Sequence, residues 1–364
     1  MKKRVMSVLI CLLMVLALFG CKKKEPKEEK KEPKKVEVVE EKEEIQEADP
    51  ENMNNLTGLG TLSPEAIGKR PVAVMINNIE PALPQYGITQ ADVIFEIPVE
   101  GDNTRFMALY GDYTQVPQVC AVRSLRAYFA SYAVGFDAFM VHWGMDDSMD
   151  HYFDALELER FDGISGVGGM FLRDQDRLSQ GYALEHTGCF DGTKFPAYVQ
   201  STGKRLELKD NKKGPTFSFN PLNKVEDAGT QKINTASINF GAQSSSFTYD
   251  EATKTYKKLL NNKPQVDGKT NEQLAFTNVL VLETPISVRD EIGHKEVDWD
   301  GDSNAVGYYL SNGTMQKIHW HKEVNNEWSN LTFMDESNQK EVRINRGKTY
   351  IAVNYPGQAT FEEK

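Results

Sequence analysis

Between Lys22 and Asp49 the chain carries nine lysines, eleven acidic residues and few apolar ones. Such a composition cannot bury enough surface to offset the entropy of ordering the chain. Charge is segregated along the stretch, Lys-rich as far as Lys35 and Glu-rich from Glu37 to Glu47, which makes one end basic and the other acidic. We read residues 21–58 as a disordered charged spacer. Whatever folds must come after it.

What precedes the spacer explains why a tether is needed. Lys2, Lys3 and Arg4 stand ahead of an apolar run from Val5 to Phe19 broken only by Ser7, the layout of a secretory signal's charged and apolar regions. About 15 apolar residues is short against the roughly 20 needed to span a bilayer as a helix. The run closes on Leu18-Phe19-Gly20-Cys21, where small Gly20 suits cleavage and the Cys21 thiol is placed to take a diacylglyceryl group. The expectation is a lipoprotein signal peptide over residues 1–20 and lipid attachment at Cys21. Lys22, Lys23 and Lys24 would add attraction for anionic headgroups beside the lipid. The membrane is therefore the first expected partner, and the outer face of the cytoplasmic membrane the expected location.

The formal charge of the whole chain is −11; with +3 from residues 1–4 and −2 from the spacer set aside, −12 remains for residues 50–364. That acidity argues against a nucleic-acid partner and against the folded part lying flat on an anionic membrane, while leaving room for local basic clusters that hold phosphate. Of the cysteines, Cys120 and Cys189 lie in the folded part. Two are too few for a disulfide scaffold; they form one bridge outside the cell, or Cys120 is a buried thiol in its apolar stretch. No Cys-x-x-Cys motif suggests zinc or redox catalysis.

About 300 residues remain after the spacer, more than one core usually serves. From Gly203 to Gly229 the chain turns rich in Lys, Asn, Gly, Pro and Asp, so we place domains at 59–215 and 216–364. In the first, Pro71–Ile76 reads as a buried strand followed by a turn-prone Asn77-Asn78. Ala91–Ile97 and Thr104–Tyr110 read as a hairpin, Phe139–Trp143 as a further strand, and Ser124–Phe136 and Met149–Leu158 as helices, the first with Leu125, Tyr128, Phe129 and Tyr132 at helical spacing. In the second, strands are expected at Ser246–Tyr249, Thr255–Leu260, Leu274–Leu282, Gly307–Leu310, Thr314–Trp320 and Thr349–Val353. Asn261-Asn262, Asp267-Gly268, Asp300-Gly301 and Asn312-Gly313 separate them with residues that tolerate positive φ. The fold class is α+β: an N-terminal mixed α/β sheet domain, then a smaller and mainly antiparallel β domain.

Several of these blocks together resemble a known family. Arg70–Asn78, Ala91–Glu96, Val99-Glu100-Gly101 and Thr104-Arg105-Phe106, then Val122-Arg123-Ser124 with Arg126 and Tyr128, Val141-His142-Trp143-Gly144, and Arg173-Asp174 with Arg177 are similar in order and content to the YerB-like lipoproteins of Gram-positive bacteria. Tyr249-Asp250 to Tyr256 and Gly307-Tyr308-Tyr309 with Asn312-Gly313 resemble that family's C-terminal unit. The resemblance spans nearly everything from about residue 60 onward and implies an exported two-domain protein, without bringing an assigned activity. Where relatives tend to carry a Pro-His-Asn-Leu-like stretch, this chain reads Tyr182-Ala183-Leu184-Glu185-His186-Thr187.

The most suggestive side chains are Arg105, Arg123, Arg126, Arg173 and Arg177, since guanidinium forks suit phosphate or carboxylate and the domain around them is acidic. Asn77, Asn78 and His142 join them as candidate ligand-binding residues, His142 standing at a strand's end where an imidazole donates or accepts a proton. The competing expectation is that the arginines pair internally with Asp92, Glu96, Glu100, Asp174 and Asp176, and that His142 is a buried, hydrogen-bonded residue. Glu96, Glu100 and Asp174 are the candidate catalytic carboxylates. In an extended strand Glu96 and Glu100 share a face about 13 Å apart at ~3.3 Å per residue, too far for either glycosidase geometry. Ser124 and Ser165 lie outside any nucleophile elbow, and His319 with His321 lacks a third zinc ligand. No metal and no cofactor are expected. A noncatalytic envelope factor that binds an envelope protein or a cell-wall glycan follows as the first functional expectation, and an enzyme or binder acting on an anionic wall precursor through the arginines as the second.

Overall fold

The computed structural model describes residues 48–302 and 304–363. The signal peptide, Cys21 and most of the spacer lie outside the described residues. The spacer's expected far end does not: Leu56 is buried, as are Asn54 and Thr57, so the folded body begins before residue 59. Leu56 has an apolar side chain that the neighbouring core covers, which a composition window weighted by the preceding charges does not reveal.

The body is organised by one sheet of eleven strands. Toward one edge Val72–Asn77 pairs antiparallel with Thr104–Tyr110, from Val72 opposite Tyr110 to Asn77 opposite Arg105, and Thr104–Tyr110 pairs in turn with Val93–Pro98. The turn of that hairpin places Gly101 at φ 66° and Asp102 at φ 56°, left-handed values that glycine and aspartate reach most cheaply. Strand Phe139–His142 adds parallel to Val72–Asn77 on the other side. Toward the C-terminal half, Thr349–Asn354 lies parallel to both Val93–Pro98 and Asn278–Glu283. Through that one strand the sheet passes from one half of the chain into the other, with Val306–Ser311 and Thr314–His321 continuing it antiparallel.

Strand alternation sends side chains to both faces, and both faces are covered. Ala73 and Met75 join a core that includes Tyr128, Phe129 and Tyr132 of helix Ala127–Ala133. Val72, Val74 and Ile76 join a second core. It is roofed by a six-stranded antiparallel sheet that includes Thr235–Asn239, Ser244–Asp250 and Thr255–Leu260, and by a three-stranded sheet made of Gln118–Cys120, Gly188–Asp191 and Phe171–Arg173. Each core draws residues from both halves of the chain. Cys120 and Cys189 face each other in the three-stranded sheet and are joined as a disulfide.

Three elements differ from their sequence reading. The helix expected from Ser124 starts at Ala127, because Arg126 is extended at φ −125°, ψ 152° and Leu125 donates to Gly144 O at 3.0 Å, which keeps Arg123–Arg126 as a strand-like connector. The helix expected over Met149–Leu158 shortens to Asp150–Ala155. The strand expected over Leu274–Leu282 breaks at Thr277, with Ala275–Phe276 in the six-stranded sheet and Asn278–Glu283 in the main one. Two sheets compete for one apolar run, and periodicity cannot tell them apart.

Candidate functional site

The polar residues singled out in the sequence separate into a sealed group and an open one. The sealed group centres on Glu96, which is fully buried. Its Oε1 accepts from Asn78 Nδ2 and Thr104 Oγ1, both at 2.6 Å, and its Oε2 accepts from Ser245 Oγ at 2.6 Å. Lys258 completes the ion pair at 3.7 Å and is itself fully buried. Its ammonium donates to Ser245 Oγ at 2.8 Å and Gln265 Oε1 at 2.7 Å among the rings of Phe106, Phe247 and Tyr350. Burial pushes the Lys258 amine down to about 8, since a low-dielectric site disfavours the charged form. Gln85 and Gln243 close the network against Asn78. Four members come from the N-terminal half and four from the C-terminal half, and all are buried. Glu96 and Asn78, expected as site residues, are therefore interior cement.

Glu100 has a different fate. It lies in the hairpin turn, where its carboxylate accepts from Arg126 Nε at 2.5 Å and Arg105 Nη2 at 3.2 Å. Burial works to raise its pKa, but the Arg126 and Arg105 guanidiniums outweigh it and hold the carboxyl below the usual range. Burial, with Arg126 alongside, pushes Arg105 down to about 9. This pairing is the internal one foreseen for the arginines. The hairpin of strands Ile286–Val288 and Lys295–Val297 reinforces it from outside through Lys295 on Asp102 at 2.6 Å. Arg177 is also spoken for: it is 1% exposed, donates to the carbonyls of Ala82, Pro84 and His186, and lies against Tyr86 and Tyr182. Asp174 caps helix Gln175–Ser179 by accepting from Arg177 N at 2.9 Å. His142 is buried with Nδ1 2.9 Å from Gly144 O, and burial lowers its pKa against the raising effect of Asp162.

Arg123 and Arg173 form the open group. The segment after Cys120 runs beside the end of the first strand, with Arg123 N donating to Met75 O and Trp143 N to Arg123 O, both at 3.0 Å. Arg173 ends the edge strand of the three-stranded sheet, opposite Gly188. Its guanidinium lies over Trp143, 4.1 Å from the ring centre, and donates to Leu184 O at 2.6 Å. Trp143 reaches this position because Gly163 and Gly188 pass under it; a Cβ on either would stand 2.5 Å and 2.8 Å from the indole. Burial, and then the neighbouring Arg123, lower the Arg173 pKa. The carboxylate nearest Arg123 is Glu185 at 4.0 Å, and Arg123 Nε is out of solvent with no hydrogen-bond partner among the described residues. Asn77 Nδ2 meets His186 Nδ1 at 3.1 Å on the same side, and burial lowers the His186 pKa with Arg123 nearby. One guanidinium on an aromatic face, with a second within electrostatic reach and Glu185 4.0 Å from Arg123, is an arrangement suited to an anion.

Of the sequence candidates, the structure thus gathers Asn77, Arg123 and Arg173, keeps Arg105 within electrostatic reach of Arg123 but ties it, with Arg126, to Glu100, and sets Asn78, Glu96, His142, Asp174 and Arg177 to work in the interior. Trp143, Glu185 and His186 enter the patch although sequence reasoning assigned them no role. Lys258 was legible in principle: alternation in Thr255–Leu260 puts it on the inner side with Tyr256 and Leu260, an inward charge that calls for a partner. The group with metal-like spacing among the described residues is Cys120, Asp174 and Cys189, and its two sulfurs are bonded to each other.

Residues 56–203 match the profile described as protein of unknown function (DUF3048) N-terminal domain, and residues 236–351 match its C-terminal counterpart. The chain belongs to this YerB-like family. It is 27% identical over 274 residues to the Bacillus subtilis protein named "Putative lipoprotein YerB", covering 74% of this chain and 78% of that one. The crystal structure of YerB from Bacillus subtilis superposes with a TM-score of 0.72 at 22% identity, over 85% of this chain and 99% of that one, a likeness of fold. No helix among the described residues is long and apolar enough to cross a membrane.

Proposed function

We propose that the protein is a lipid-anchored envelope factor, held by Cys21 at the outer face of the cytoplasmic membrane, that binds without catalysis a cell-wall glycan bearing phosphate or carboxylate groups. The observation that carries this reading is the Arg123–Arg173 pair beside Trp143, with Arg173 stacked on the indole and the carboxylate nearest Arg123 4.0 Å away, in a body that is otherwise acidic. A spacer of about 28 residues at a random-coil scale of ~5 to 6 Å times the square root of length would hold the body roughly 30 Å from the bilayer, at the inner edge of the wall. The catalytic reading has less support: Glu96 is sealed, Glu100 is neutralised by two arginines, and Asp174 is a helix cap.

The test uses the full-length protein in a nonionic detergent, titrated with inorganic phosphate and with an anionic wall glycan. Arg123→Gln and Arg173→Gln are each expected to weaken binding of both about tenfold or more, as loss of a charge-assisted contact does. Binding unaffected by either substitution contradicts the proposal.

A further inference from the structure

The arginine patch has an apolar rim that a seat for a purely soluble anion does not require. Ile164 is 72% exposed and Leu184 is 61% exposed. Ile164 stands in the glycine-rich loop between Arg160–Asp162 and Phe171–Arg173, in the same backbone neighbourhood as Ser124: a Cβ on Gly144 would meet Ile164 Cδ1 and Ser124 Oγ, each at 3.3 Å. Leu184 begins the turn whose carbonyl receives Arg173. Ile164 thus lies by Ser124, the residue after Arg123, and Leu184 supplies the carbonyl that holds Arg173, whose guanidinium covers half-buried Trp143.

Single exposed apolar residues are ordinary on protein surfaces. What distinguishes this pair is the company of two guanidiniums and an indole, since cation, aromatic and aliphatic groups together match a ligand with an anionic head and a hydrocarbon tail. Charge narrows the ligand further. A body of net charge −12 over residues 50–364 is repelled by a broadly anionic surface, so a phosphate reaches the arginines most readily when it is carried on a single lipid molecule.

We propose that the Arg123–Arg173 patch binds a lipid-borne phosphate, with the phosphate between the two guanidiniums and the first methylenes of the chain against Ile164, Leu184 and the edge of Trp143. This inference rests on the reading of the patch as an anion site and assigns that site an amphiphile.

The experiment titrates the full-length protein in a nonionic detergent with farnesyl phosphate, inorganic phosphate and farnesol. Farnesyl phosphate binds at least tenfold more tightly than either of the others. The double variant Ile164→Ser, Leu184→Ser, at positions already in solvent, loses about tenfold in affinity for farnesyl phosphate and keeps its affinity for inorganic phosphate. Arg123→Gln and Arg173→Gln weaken both phosphates. If farnesyl phosphate and inorganic phosphate bind alike, sensitive to the arginines and indifferent to Ile164 and Leu184, the lipid assignment is overturned and the anion site stands. Farnesol binding as tightly as farnesyl phosphate overturns it as well. If the arginine variants change nothing, both readings fall.

Discussion

The Glu96–Lys258 network and the Arg123–Arg173 patch are built from the same kinds of side chain, yet one is cohesive and the other available. In the network every charge meets an opposite charge or a hydrogen-bond partner drawn from the other half of the chain. In the patch, Arg173 lies on the Trp143 indole with Arg123 within electrostatic reach, and Glu185 is the carboxylate within 4.0 Å of Arg123. Pairing and burial, rather than residue type, decide which polar cluster is interior cement and which is left available to a ligand.

The sharpest way to break that contrast is to unpair the network. Lys258→Ala leaves Glu96 buried without its counter-charge, and the expected cost is about 3–5 kcal/mol in a denaturant-unfolding experiment. The disulfide comes next. Cys120 and Cys189 are 69 residues apart, and replacing both with alanine should cost about 2–4 kcal/mol by the same measurement, chiefly by freeing the unfolded chain. It should also loosen the anion site, since Arg123 follows one cysteine and Arg173 pairs in the strand beside the other. Arg123→Gln and Arg173→Gln invert the pattern: anion affinity falls about tenfold while unfolding free energy changes by less than about 1 kcal/mol. A large stability loss in those variants would place the patch in the same class as the network.

The remaining effect runs through pH and two buried lysines. Burial lowers Lys258 to about 8 and Lys322 to about 7, whereas both titrate near 10.4 in an unfolded chain. Between about pH 8 and 10 the unfolded chain then holds more protons than the folded one, so stability rises with pH across that window. Thermal unfolding at fixed ionic strength checks it. Lys322→Met should flatten the rise, since its ammonium contacts only the Ser131 and Glu327 carbonyls by hydrogen bond and a methionine there has nothing to titrate.

Much of the fold was legible because its signals are local. Val72–Asn77, the hairpin through Gly101 and Asp102, and the Asn261-Asn262 and Asn312-Gly313 turns follow from apolar runs and from residues that tolerate positive φ. The parallel pairing of Thr349–Asn354 between strands of both halves was not legible, because nothing in a strand's composition names a neighbour more than two hundred residues away. Gln118–Cys120 and Phe171–Arg173, three residues each, are too short to show a period. The candidate site divides in the same way. The arginines stand out in an acidic domain, but whether each finds a carboxylate depends on chain crossings. Arg105 from the hairpin and Arg126 from the connector before the helix both meet Glu100, while Arg173 meets Trp143 only because two glycines let the indole settle.

On the proposed reading an anion sits against Trp143 beside Arg173, with Arg123 close by. The chain has four tryptophans, so the most direct measurement follows the indole ¹⁵N–¹H resonances of the full-length protein during titration with a phosphate ligand. One resonance is predicted to move, to disappear from the spectrum of Trp143→Phe, and to stay still in Arg173→Gln. Movement of a different indole, or of none while the ligand binds, would contradict the account.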